Sequence, residues 1–240
     1  MDKIFLYVLK RCDSLKRIRK MNEVAWLLGI VLCALGVCLC TKASFGLSMV
    51  AAPPYILHLR LSSAVSEFFT QGTTEYIWQG FLLILLCFAI KKFRPAFLLS
   101  FVTAILFGLT LDLWLFVFGG GVMYTLLWQR IIAFILGELI TALSIAFFFR
   151  TDMPLMIYEL IIKEVSLKWG FSQGKVKFVS DVSMLVLSFF LAVFLNHSFR
   201  GIGIGTIIIT LVNAPLITFF SAVLDRLFVF NSLFRRENAK

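Results

Sequence analysis

Phe69-Thr-Gln-Gly-Thr-Thr-Glu-Tyr-Ile-Trp-Gln79 returns 102 positions later as Phe171-Ser-Gln-Gly-Lys-Val-Lys-Phe-Val-Ser-Asp181. Phe69, Gln71 and Gly72 recur unchanged as Phe171, Gln173 and Gly174. Thr70, Tyr76 and Ile77 recur as Ser172, Phe178 and Val179. Each copy opens an apolar run, so the chain reads as one plan used twice.

The solvent for most of that plan is lipid. Hydrophobic residues make up 60% of the 240 and charged residues 15%. Soluble chains average nearer ~45–50% apolar and ~25% charged. A span needs ~20 mostly apolar residues. The net charge of +10 does not point to nucleic acid, because the basic residues cluster between apolar runs, where they set membrane orientation. Cys12, Cys33, Cys38, Cys40 and Cys87 show no disulfide framework and no metal-ligand spacing.

Residues 1–23 carry Lys3, Lys10, Arg11, Lys16, Arg17, Arg19 and Lys20, with apolar positions at helical spacing. They read as a basic amphipathic segment on the cytoplasmic membrane face. A cleaved signal peptide is the rival, but the basic region is too long and Lys42 sits beside the only cleavage-like site. Spans are expected over Val24–Thr41, Thr74–Ile90, Ala96–Phe118, Trp128–Phe149, Val176–Leu195 and Ile202–Val223. Two shorter segments interrupt them. Leu47–Leu61, broken by Pro53 and Pro54, is either a re-entrant half-helix or a short helix in the outer interface. Pro154–Trp169, with Asp152 or Thr151 as its cap, is expected to lie on the cytoplasmic surface.

With the amino terminus inside, only Lys42, Arg60, Arg130 and Arg200 fall outside among the Lys and Arg residues, which places both termini in the cytoplasm. The expected fold is an all-α membrane protein with six transmembrane helices as two inverted three-span repeats, each with an extra short helix after its first span. Residues 24–121 form the first repeat and 122–225 the second; 1–23 and 226–240 are basic cytoplasmic ends. An odd span number per repeat turns the second copy upside down. The repeat extends to Gly29 with Gly137, and to the helix breaks at Lys42 and Arg150.

Ionisable and amide side chains inside spans are costly, and each is a candidate for function. Asp112, Glu138 and Asp181 are the acids; Gln79 and Asn213 are the amides. Gln79, Glu138, Asp181 and Asn213 are expected to line a polar pocket at the repeat interface, with Glu138 or Asp181 able to take up a proton. Glu75, at a span end, is expected to be solvated. The helix-break and repeat-motif residues are Lys42, Gly46, Gln71, Gly72, Arg150, Gln173, Gly174, Gly205 and Thr206. No HExxH, GxSxG or P-loop occurs, so nothing points to an enzyme, a catalytic residue, a metal or a cofactor.

Three passages carry a family resemblance: Lys42-Ala-Ser-Phe-Gly46-Leu-Ser48, the Gly72 entry to a span, and Gly201-Ile-Gly-Ile-Gly205-Thr206 followed by Asn213-Ala-Pro215-Leu-Ile217. Over roughly residues 24–225 the chain resembles the YczE/YyaS/YitT-type family of bacterial integral membrane proteins. The resemblance implies a multi-span inner-membrane protein and supplies no catalytic residues. The functional expectation is a small-molecule transporter or membrane substrate-binding subunit, partnered by the bilayer, a small-molecule or ion substrate, and a further copy or partner membrane protein. The alternative is a membrane scaffold that binds partner proteins and moves nothing.

Overall fold

The computed structural model describes residues 18–120, 123–151, 153–196 and 201–231, and within these the side chains of 18–22, 173, 196 and 228–231 are not described. The expectations for residues 1–17, Gly121, Asp152, His197, Arg200 and the tail from 232 lie outside the described residues.

Among the described residues, six helices are long and apolar enough to cross a membrane. They are α1 (Asn22–Ala43), α3 (Gln71–Ile90), α4 (Ala96–Val117), α5 (Leu127–Arg150), α7 (Gln173–Leu191, continued by a π-helical turn over Ala192–Asn196) and α8 (Ile204–Leu227). Two shorter helices, α2 (Ala52–Ala64) and α6 (Ile157–Trp169), follow the first and fourth of these. A short parallel pairing of β1 (Ile18–Met21) with β2 (Phe228–Asn231) joins the start of α1 to the end of α8. That end of the bundle is called the first face below, and the end holding the turn after α1 the second.

α1 and α5 form the centre. They run antiparallel and cross where Gly36 meets Gly137. A Cβ on Gly36 would lie 2.7 Å from the Gly137 carbonyl, and one on Gly137 would lie 2.8 Å from the Gly36 carbonyl. Without a hydrophobic drive between helices in lipid, this backbone approach is what holds them together. Gly36 is therefore the residue facing Gly137, and Gly29 sits against the Phe148 ring. α4 packs beside α1, and α8 beside α5. α2 packs on α3 and α7, while α6 packs on α7 and α3. α3 also packs on α4, through Gly72 against Gly108.

The short helices do not lie on the surface. Lys168, near the end of α6, donates to the carbonyls of Ala89 (2.7 Å) and Ile90 (3.1 Å) at the first-face end of α3. Tyr158, near its start, donates to Glu75 at 2.9 Å, close to the opposite end of α3. α6 thus stands alongside α3, which is ~30 Å long, and its first turn lies deep in the bundle. The residues just before it, 153–156, are deep as well. Met156 packs among Cys33, Ala34, Phe107 and Leu111 in the middle of α1 and α4. The Pro154 carbonyl accepts from Trp26 (3.1 Å) and Thr103 (3.3 Å). The expected cytoplasmic surface helix is instead a half-depth helix that re-enters, because Ile157, Tyr158 and Leu160 are apolar enough to be buried against α3 and α4. Nor do Thr151 and Pro154 cap it. α6 starts after Met156 with no side-chain cap, and Thr151 instead donates to Phe148 at the end of α5.

α2 is its counterpart at the second face. Leu47, Ala51, Ala52 and Tyr55 pack against Cys40, and Val50 reaches the cluster that holds Ile157 and Tyr158. The backbone of this break is satisfied by protein, as membrane depth demands: the Leu47 amide donates to Gly201 (3.0 Å) and the Gly205 amide to Phe45 (2.9 Å). Gly46 takes φ +119 here, which admits glycine and few other residues. α2 also lacks a side-chain cap, and prolines occupy its first turn.

Candidate functional site

One deeply buried acid is a residue the sequence reading left in solvent. Glu75 is 3% exposed. It accepts from Tyr158 at 2.9 Å and from Gln79 Nε2 at 3.2 Å. Gln79 is fully buried, and its Oε1 has no protein donor. The triad lies where α3 meets the first turn of α6. A signal for Glu75 existed: it stands one turn before Gln79 on the same helical face.

A second pair faces α8. Phe134 packs by Ile209, Phe147 packs by Leu224, and Arg150 pairs with Asp225 at 2.5 Å. That constant register puts Glu138 level with Asn213 on neighbouring helices. Glu138 is 6% exposed, and Glu138 Oε1 and Asn213 Oδ1 both lack protein donors.

The other expected pocket residues are elsewhere. Asp181 pairs with Lys177 at 3.1 Å, one turn away on α7 near the first face, and makes no pair with Gln79. Asp112 caps α3: Oδ1 accepts from the Gly72 amide at 2.7 Å and Oδ2 from the Thr70 hydroxyl at 2.5 Å. Gln71 donates to Thr41 at 3.0 Å. Lys42, 1% exposed, donates to the Gly120 carbonyl. Arg150 holds Asp225 at the first face. Gly205 and Thr206 seat the start of α8 against Phe45 and Gly46. Gly174 touches nothing within 4 Å, and Gln173 begins α7 with its side chain outside the described residues.

Two cavities flank this interior at opposite ends of the bundle. The one at the second face, about 420 Å³, is lined by Lys42, His58, Glu67, Thr70, Gln71 and Asp112 among others. The one at the first face, about 480 Å³, is lined by Thr151, Glu159, Ile162, Lys163, Gly174 and Lys177 among others. The first lies between the end of α1, α2 and the start of α3. The second lies between the end of α5, α6 and the start of α7. Among the described residues no cluster of His, Cys, Asp and Glu could hold a metal ion.

The chain is similar to the uncharacterised protein YyaS of Bacillus subtilis (strain 168). The two are 28% identical over 213 residues, spanning 87% of this chain and 96% of that protein. No solved structure matches the chain. Residues 20–222 match the model of a protein family whose activity is not known, and with that match covering all six long apolar helices, the chain belongs to the family of unknown function DUF6198.

Proposed function

We propose that this protein is a multi-pass transporter, or membrane substrate-binding subunit, for a small polar solute, built as two inverted three-span repeats with both termini in the cytoplasm of a cell membrane. The observation that carries the reading is the pair of half-depth helices. α2 and α6 start near one another in the bundle interior, uncapped, and each borders a cavity at one face. Broken helices at the interface of inverted repeats are where secondary transporters place their sites. The helix pairing supports the repeat: α1 on α4 is matched by α5 on α8, α2 on α3 by α6 on α7, and α2 on α7 by α3 on α6.

In this reading Glu75, Gln79 and Tyr158 form the barrier between the two cavities. A solute with hydrogen-bond donors replaces Tyr158 on Glu75 and meets the unpartnered Oε1 of Gln79. Glu138 and Asn213 form a second polar step beside it. A protein that only scaffolds partners has no need of unpartnered buried acceptors at this depth, where each costs free energy. Neither part of the arrangement supplies a nucleophile paired with a base, so we assign no enzymatic reaction.

The test is thermal stability of the purified chain against a panel of metabolites and ions, with Glu75→Gln and Glu138→Gln alongside. A ligand at ~100 times its Kd stabilises by about 2.7 kcal/mol. A shift that Glu75→Gln abolishes in a folded protein supports the reading, and that ligand then goes into a vesicle uptake assay. A flat panel with a folded protein overturns it and favours the scaffold.

A further inference from the structure

The two halves differ in one contact, and the difference opens a cleft. In the first half α3 lies tightly on α4: a Cβ on Gly72 would be 2.0 Å from the Gly108 carbonyl. The repeat partner of Gly72 is Gly174, which has open space around it, and no comparable packing joins α7 to α8. Between them, over Leu185–Phe190 and Ile202–Leu211, runs a cleft of about 760 Å³ whose back wall is Met49. Its lining is almost wholly apolar; Thr206 and Thr210 are its polar residues, and the Thr210 hydroxyl is turned onto the Thr206 carbonyl at 2.7 Å.

We infer that this cleft binds a single hydrocarbon chain of a lipid-like amphiphile drawn from the leaflet at the second face. Three observations select that occupant. The mouth lies between two candidate spans and is continuous with a lipid-facing surface, since only 17% of α7 and 11% of α8 is buried, against 39–61% in the other four. The lining offers a ligand no charge, and its polar side chains are two threonine hydroxyls, that of Thr210 turned onto backbone, so the bound part is hydrocarbon. The volume is that of a single-ligand site, ~300–1,000 Å³. Three turns of a second-copy helix, ~10–12 Å across and ~16 Å long, would overfill it. The cleft ends at Met49, just before the uncapped start of α2, so a bound chain reaches the interior of the bundle. Chain binding here does not depend on whether the protein transports anything.

The experiment reconstitutes the full chain in vesicles of phosphatidylcholine bearing a photoactivatable diazirine midway along one acyl chain. After illumination, labelled peptides are mapped. Labelling per residue at the cleft-lining positions of 185–190 and 202–211 should exceed that of the exposed residues of 81–88 in α3, Phe81, Ile84, Leu85 and Phe88, by at least threefold. Thr210→Phe and Val186→Trp, which fill the cleft from opposite walls, should each return it to that baseline while 81–88 keeps its level. Equal labelling of cleft and α3 surface in the unaltered protein overturns the proposal, as does excess labelling that persists in both folded variants. Crosslinks between copies through these residues also overturn it, in favour of a dimer.

Discussion

At the scale of single residues, the interior is built from acceptors that each need a donor. Glu75 has two, from Tyr158 and Gln79. Removing one leaves a buried acceptor short, which costs roughly 1–3 kcal/mol. Tyr158→Phe should therefore lower the unfolding free energy in detergent by about that amount. Tyr158→Phe combined with Glu75→Gln should lower it by less than the two single changes added together, since both break the same bond. The repeat-related glycines give a sharper contrast. Gly72→Leu drives a side chain into the Gly108 backbone and should cost ~1–3 kcal/mol or more through overpacking. Gly174→Leu meets open space and should leave the melting temperature nearly unchanged. Similar losses at both sites would mean that α7 and α8 pack as α3 and α4 do.

At the scale of elements, α6 decides how the second half is read. Its depth rests on three anchors: Tyr158 on Glu75, Lys168 on the end of α3, and Arg94 with Glu164 at 3.1 Å. The last is a half-exposed pair, so Arg94→Ala should cost no more than ~1 kcal/mol, read by thermal unfolding. Accessibility tests the depth directly. In a background without native cysteines, Lys168→Cys should react with an impermeant maleimide from the same side as Lys91→Cys. Met156→Cys should react only after unfolding. A helix lying on the surface would instead expose one whole face along its length. Pro154–Trp169 carries Glu159, Lys163, Glu164 and Lys168, and those charges suggest an interfacial helix by composition. The structure accommodates them because Glu164 and Lys168 find partners at the first-face end, while Ile157, Tyr158 and Leu160 go inward.

At the scale of the whole molecule, six antiparallel crossings return the chain to the face it started from, and the β1–β2 pairing brings the start of α1 and the end of α8 together there. Reporters fused at the two ends should therefore report the same compartment, and a tag inserted after Leu61 should report the opposite one. In the proposed orientation that compartment is the cytoplasm, as the charge bias favours.

Span number and span limits to within a few residues were legible in the chain, because hydrophobic length against bilayer thickness is a local property. So was the place of the breaks at Lys42-Ala-Ser-Phe-Gly46 and Arg150, where glycine and charge interrupt an apolar run. Glu138 and Asn213 were legible as buried polar groups for the same reason. Who meets whom was not. Gln79 pairs with Glu75 rather than Asp181, because Asp181 turns to Lys177 on its own helix. Nor was the meeting of Gly36 with Gly137, because helix rotation is set by the closest backbone approach. The depth of α6 and the open cleft between α7 and α8 belong to tertiary structure alone: in lipid every apolar face has a ready solvent, so hydrophobicity does not choose a helix's neighbour, and close packing and buried hydrogen bonds make that choice.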